Sequence, residues 1–236
     1  MKINKVTITG ADDSIDINTL VQFQKKFPFV EWGILLNLYN AGSNKFPSSK
    51  WLGNCLAAIT RDKLNTSAHL CGIYAKDVMK GPDKYNTIQN LKGLFNRFQI
   101  NFNFKTSGEY DMEYITQLLS TIDTTFIFQY NKSNEGVLKE FLTKNKKISN
   151  VNILFDSSGG RGTMIKQIPT PFNIYTGYSG GLTPNNVEQF CTDLIKFPND
   201  STVWVDVESG VRTDNKFDID KVEDFLTITS KFITYD

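Results

Sequence analysis

A chain of 236 residues with 26 Lys+Arg against 25 Asp+Glu carries a formal net charge of +1, which excludes bulk attraction to nucleic acid or to an anionic membrane. With 40% hydrophobic and 22% charged residues it is globular rather than disordered, and at this length it can bury a core without staples. Three cysteines without tight spacing make no disulfide framework, and a lone histidine, His69, excludes a site with three histidine ligands. The first ten residues run straight into a β-type segment without the apolar stretch of a signal peptide. No window approaches the ~18 apolar residues of a membrane span. A soluble, cytoplasmic protein with no nucleic-acid or membrane partner is expected.

One rhythm repeats along the chain: a β-branched or aromatic run, a polar loop, then apolar residues spaced by three and four. The β-type runs are residues 5–9, 30–36, 67–72, 97–104, 124–130, 151–156, 172–177 and 202–207. After the first run, Leu20, Val21 and Phe27 suit a helix. After the second, Ser49 precedes Trp51, Leu52, Cys55, Leu56 and Ile59 on one helical face. Val137, Leu138, Phe141 and Leu142 follow the fifth run. The best-marked helix follows Gly181: Thr183 reads as its N-cap and Pro184 as its first residue. Val187, Phe190, Cys191, Leu194 and Ile195 form its buried face. The last helix has Asp218 as cap and Ile219, Val222, Phe225 and Leu226 as its apolar face. The third and sixth units are the weakest, since residues 165–169 leave little room for a crossover helix.

Eight such units average about 30 residues, which predicts the α/β class and a single-domain (β/α)8 barrel spanning residues 1–236. The rivals are a doubly wound open sheet, whose strands should read as continuous apolar runs, and an antiparallel sheet with one wet face. Alternation speaks for the barrel: Phe98, Ile100, Phe102 and Phe104 interleave with Gln99, Asn101 and Asn103, and Val151, Ile153 and Phe155 with Asn152, Leu154 and Asp156. The apolar set would face the helices and the polar set the barrel interior.

Two loops carry the chemistry. Gly180 and Gly181 sit just before a helix, where backbone can approach a ligand closely. Ser209 and Gly210 follow the last strand, in Asp206-Val207-Glu208-Ser209-Gly210-Val211-Arg212. In a (β/α)8 barrel the loops after strands seven and eight are the usual phosphate site. His69 and Cys71 share one face of the third strand, so a thiol beside an imidazole is a candidate proton acceptor if that face points inward. A hydrogen-bonded core histidine and a small buried cysteine are the plain alternative. Asn101, Asn103, Gln129 and Asp206 are inward polar groups suited to a sugar or to ordinary interior hydrogen bonding. Arg161, amid glycines, is a candidate anion contact.

Gly180-Gly181-Leu182-Thr183-Pro184-Asn185-Asn186-Val187 resembles the A-G-G-L-x-P-x-N-V segment of phosphoribosylanthranilate isomerases. Asp206, Ser209-Gly210-Val211 and Lys216-Phe217-Asp218 resemble that family's D-V-S-S-G-V-E…K-D. Ile153-Leu154-Phe155-Asp156 with Gly159-Gly160-Arg161-Gly162 is similar to its L-L-D…G-G-T-G, and Val6-Thr7-Ile8-Thr9-Gly10 to its V-K-I-C-G. The matches frame the chain but skip strands three to five. The resemblance implies a (β/α)8 barrel performing an Amadori rearrangement of a phosphorylated sugar-amine in tryptophan biosynthesis. It also implies no metal or organic cofactor, a phosphorylated small-molecule substrate, and a monomer or homodimer. Asp156 matches the family's general acid. Thr9 stands where the family has its catalytic Cys, Lys45 is the best match for a substrate-clamping Arg, and Arg212 replaces an acidic residue. An isomerase, a barrel that only binds a phosphorylated ligand, and an aldolase or lyase with a Schiff-base lysine such as Lys45 all fit this reading.

Overall fold

Strands with one side apolar and the other polar close on themselves when helices cover only the apolar side. The computed structural model, which describes residues 1–82, 84–156 and 167–235, shows this closure. Eight strands form one closed barrel in sequence order, each parallel to its neighbours. They are β1 (Lys2–Thr9), β2 (Val30–Leu36), β3 (Thr66–Leu70), β4 (Arg97–Ile100), β5 (Thr125–Tyr130), β6 (Val151–Asp156), β7 (Thr176–Ser179) and β8 (Thr202–Val207). The ring closes where β1 pairs with β8, Val6 opposite Val205 and Thr7 opposite Asp206. The outer helices are α1 (Ile17–Lys26), α2 (Ser49–Asp62), α3 (Ile73–Lys80), α4 (Thr87–Leu91), α5 (Met112–Thr121), α6 (Glu135–Lys144), α7 (Val187–Lys196) and α8 (Ile219–Ser230). Among the described residues no helix lies between β6 and β7. The chain is a single (β/α)8 barrel, as its unit count implies.

Local chemistry sets the helix starts. Ser48 accepts from the Trp51 N–H and caps α2, and Asp218 accepts from the Lys221 N–H and caps α8. α7 begins three residues later than Thr183 and Pro184 suggest. The Thr183 carbonyl accepts from both the Asn186 and Val187 N–H groups, so residues 183–186 form a turn ahead of the helix. Ile195, expected on the buried face of this helix, is exposed. Several strands also differ from expectation: β1 starts three residues earlier, at Lys2, and β3 ends at Leu70 rather than at 72. β7 lies at 176–179 rather than 172–177, because Phe172 leaves the sheet to stack on Phe155 at 5.6 Å between ring centroids. β4 stops at Ile100, and Phe102 and Phe104 pack edge-on against Tyr110 beyond it.

There are two cores. The larger fills the space between barrel and helices, with Val6, Ile8, Phe98, Phe126 and Val205 facing Leu20, Cys55, Leu138 and Leu194. The smaller lies inside the barrel, where Ile127, Leu154 and Trp204 pack with Tyr175. Glycine makes room for it: a Cβ on Gly177 would lie 2.1 Å from the Trp204 ring.

The interior also holds Glu31 on β2, which no solvent reaches. Arg97 on β4 donates to it from Nε at 3.1 Å and from Nη2 at 2.5 Å, Thr7 on β1 donates at 3.0 Å, and the Lys5 ammonium lies at 3.3 Å. Arg97 in turn lies over the Trp204 ring, 4.4 Å from its centroid. Burial alone would raise the Glu31 pKa; the Arg97 and Lys5 charges and the donated hydrogen bonds outweigh it and hold the carboxyl at about 2.

Removing one partner of a buried pair strands the other charge. Glu31→Gln is therefore expected to cost about 3–5 kcal/mol in urea unfolding. Because the pKa is lowered on folding, the contribution of Glu31 is complete above its ordinary 4.5 and is lost as pH falls from there towards 2. The stability–pH curve of Glu31→Gln should be flatter across that window.

Candidate functional site

In a parallel barrel the last inward residue of every strand arrives at one rim. Thr9 of β1, Gln99 of β4, Gln129 of β5, Asp156 of β6, Ser179 of β7 and Asp206 of β8 line a single cavity there. Gly180, Gly181, Glu208 and Ser209 complete its wall from the loops that follow β7 and β8.

The two loops are built to touch. Gly180 and Gly181 adopt φ of +118° and +63°, which a residue with a side chain reaches only under strain. Asn186 latches this turn: its Oδ1 accepts from the Thr183 N–H at 2.8 Å and its Nδ2 donates to the Gly181 carbonyl at 2.9 Å. Across from it, a Cβ on Gly210 would lie 1.8 Å from the Leu182 carbonyl oxygen, so only glycine lets the second loop come this near. Among the described residues, no protein group accepts from the N–H groups of Gly181, Ser209 or Gly210. Converging amides of this kind suit an anion.

Besides Glu208, two buried carboxyls face the same cavity. Asp156 is buried and accepts from Gln129 Nε2 at 3.3 Å. Asp206 is buried beside Thr9, whose Oγ1 lies 3.4 and 3.3 Å from its two oxygens. Burial, then the negative charges of Glu208 and Asp156, push the Asp206 carboxyl well above the usual carboxylate range, against the pull of the Thr9 hydrogen bond. Gln99 also faces the cavity; its Nε2 donates to Asn101 at 2.9 Å, and its buried Oε1 has no partner among the described residues.

Among the described residues, two cations near the rim are already engaged. Lys45 pairs with Glu208. Arg212 donates to Asp12 at 2.6 Å and to the Gly10 carbonyl, tying the loop after β8 to the loop after β1. Arg212 thus serves a loop contact, with its charge matched by Asp12.

His69 and Cys71 do share an inward face, yet they do not form a dyad. His69 lies below the rim, where a Cβ on Gly33 would come within 2.9 Å of its ring and 2.4 Å of the Thr9 hydroxyl. Burial is the main cause that lowers its pKa to about 3, so it is a neutral imidazole, with Nε2 3.1 Å from Ser67 Oγ. Cys71 sits nearer the rim, donates to the His69 carbonyl at 3.5 Å and accepts from Asn101 Nδ2 at 3.0 Å. Burial pushes its thiol up to about 11. Asn103 is used in its own turn, accepting from the Lys105 N–H at 2.9 Å. Arg161, with Gly159, Gly160 and Gly162, lies outside the described residues.

Sequence reasoning singles out neither Gln99, Glu208 nor the latch Asn186. The alternation along residues 97–100 that exposes Asn101 to the interior places Gln99 there as well. The geometry brings together two buried carboxyls, Asp156 and Asp206, and a set of backbone amides without acceptors among the described residues, around one cavity.

Residues 107–227 match the family described as N-(5'phosphoribosyl)anthranilate (PRA) isomerase. No curated protein matches the chain at a significant level. Among solved structures, monomers of the dimeric phosphoribosylanthranilate isomerase from Thermotoga maritima superpose with a TM-score of 0.60 at 17% identity, covering 96% of this chain and 98% of that one. The N-(5'-phosphoribosyl)anthranilate isomerase from Pyrococcus furiosus gives 0.59 at 16% identity, covering 97% and 99%. The phosphoribosyl anthranilate isomerase from Thermococcus kodakaraensis gives 0.54 at 16% identity, covering 96% and 98%. At these identities the superpositions speak to the fold.

The contact between the two loops is testable by itself. Gly210→Ala is expected to lose about 1–3 kcal/mol by forcing the loops apart. Gly53→Ala, in α2 with nothing within 4 Å of the added carbon, is expected to gain about 0.5–1 kcal/mol. Chemical denaturation of the two variants checks the contrast.

Proposed function

We propose that this chain, which belongs to the N-(5'-phosphoribosyl)anthranilate isomerase family, isomerises a phosphorylated sugar-amine by acid–base chemistry, with phosphoribosylanthranilate as its substrate. The observation that carries this reading is the shared cavity: Asp156 faces the same space as the two touching loops of Gly181 and Ser209. The phosphate sits against the Gly180, Gly181, Ser209 and Gly210 backbone, with the Ser209 hydroxyl as a further donor. That anchor holds the sugar across the cavity, so that the ring oxygen reaches Asp156. Asp156 protonates that oxygen as the ring opens, and Gln129, which donates to the carboxyl, fixes its direction. Lys45 stands at the edge of the cavity as a contact for the substrate's remaining charge, shared with Glu208. The chemistry uses protons only and asks for no metal or organic cofactor. The reaction places the protein in cytoplasmic tryptophan biosynthesis, working as a monomer or homodimer.

A second reading is supported by one observation. Thr9 occupies the place that resembles the family's catalytic cysteine, and neither His69 nor Cys71 is poised to replace it, at about 3 and about 11 respectively. On that reading the barrel binds a phosphorylated ligand without turning it over.

The fluorescence decay of phosphoribosylanthranilate mixed with the protein separates the two. The isomerase reading expects decay, reduced about 10²–10⁴-fold in Asp156→Asn. Absence of decay at high protein concentration, together with a phosphate-dependent rise in thermal stability, establishes the binding reading instead.

A further inference from the structure

The isomerase reading leaves one proton without an acceptor. An Amadori rearrangement removes the hydrogen on C2 of the sugar, and a threonine hydroxyl cannot take it near neutral pH. We propose that Asp206 is the general base for this step, with Thr9 as the residue that positions its carboxylate. The assignment rests on the isomerase reading given above.

Geometry carries it. Thr9 and Asp206 end adjacent strands of the closed ring, and the Thr9 hydroxyl reaches both carboxylate oxygens at 3.3–3.4 Å. The carboxylate therefore works within a hydrogen bond of the point where the family's thiol would stand. Asp206 and Asp156 line the same cavity from β8 and β6, with β7 between them, so a sugar anchored on the Gly181 and Gly210 loops meets one carboxyl for its ring oxygen and another for its carbon. The buried, unpartnered Gln99 Oε1 in the same wall is a ready acceptor for a donor on the ligand.

The surroundings keep Asp206 basic. Thr9 is its one hydrogen-bond partner among the described residues. Glu208 faces it from the end of β8, paired with Lys45; Asp156 faces it from β6. Glu31 on β2 and Arg97 on β4 lie below it and are paired to each other, and His69 on β3 is neutral. Burial and the acidic neighbours raise the pKa of Asp206 well above the ordinary 3.8, which gives the carboxylate a stronger pull on a proton.

The protons balance. Asp156 gives its proton to the ring oxygen as the C1–O bond breaks, and the nitrogen lone pair forms C1=N. The Asp206 carboxylate takes the C2 proton; the C–H electron pair becomes C1=C2, and the C=N pair returns to nitrogen. Ketonisation of the enol releases its hydroxyl proton, which restores Asp156, and moves the proton held by Asp206 to C1. No oxidant or reductant is consumed.

Turnover of phosphoribosylanthranilate is measured against pH for the unmodified chain, Asp206→Asn and Thr9→Val. Asp206→Asn is expected to lower kcat at least about 10²-fold with KM within about threefold. Thr9→Val retains turnover but loses the hydrogen bond that favours the ionised form, so the acid limb of its kcat/KM profile should move up by about half a pH unit or more. A merely structural Thr9 would leave that limb in place, and this profile decides the matter should Asp206→Asn fail to fold. Turnover in Asp206→Asn within threefold of the unmodified chain, or an unmoved acid limb in Thr9→Val, overturns the assignment and leaves the isomerase reading intact. No turnover by the unmodified chain overturns both.

Discussion

A charged group inside a closed barrel has nowhere to find water, so Glu31 dictates what its neighbours must be. It recruits Arg97 from β4, Lys5 and Thr7 from β1, and through Arg97 the ring of Trp204 on β8. A buried pair of this kind is a weak source of net stability, because desolvation offsets most of the attraction. Its effect is on register instead. Shifting any of these strands by one residue would turn its charged member out into the helix-facing core, so the pair excludes alternative registers of the barrel. Gly33 and Gly177 belong to the same constraint, since they leave the volume that His69 and Trp204 occupy.

The rim inherits this electrostatic floor. Asp156, Asp206 and Glu208 all stand at or near one cavity. Among the described residues, the nearby cations are committed, Lys45 to Glu208 and Arg212 to Asp12. An anionic ligand between these loops would therefore meet, among the described residues, backbone amides rather than an uncommitted cationic side chain. Amide dipoles are short-ranged and directional, which makes the spacing of the two loops decisive. That spacing depends on Gly210 against the Leu182 carbonyl and on the Asn186 latch, so the distance between two loops far apart in sequence is fixed by contacts rather than by charge.

Elements with strict local logic are readable in the sequence. The bounds of β2, β6 and β8 follow from their β-branched and aromatic runs, and the α2 and α8 starts from residues near Ser48 and Asp218. The failures share a cause: aromatic residues prefer strands only as far as they fit a half-buried pleat. Phe172 satisfies its ring against Phe155 and Tyr130 outside β7, and Phe102 and Phe104 satisfy theirs against Tyr110 beyond β4. A period-two reading cannot tell an aromatic cluster from a strand. At the site, Asp156, Thr9, Asp206 and the paired glycine loops are legible because motif and strand end coincide. The Glu31–Arg97 pair is not, because its partners are 66 residues apart and meet only once the barrel closes.

A threonine on β1, at the position where the resemblance implies a cysteine, makes sense within these constraints. A thiolate at position 9 would place a negative charge within hydrogen-bond range of Asp206, already crowded by Glu208, Asp156 and Glu31. Two anions so close resist being ionised together, and one of them would hold a proton. A hydroxyl removes the competition. It carries no charge, and it donates to the carboxyl instead of repelling it. On the proposed assignment, the negative charge that the resemblance implies for β1 resides instead on β8, a side chain away across the seam where the barrel closes. The aromatic and aliphatic groups beneath leave that carboxyl little hydration, so its basicity comes from the fold rather than from its own chemistry. The strand pairing that closes the barrel sets Thr7 opposite Asp206, which leaves Thr9, two residues further along the same face, within reach of that carboxyl.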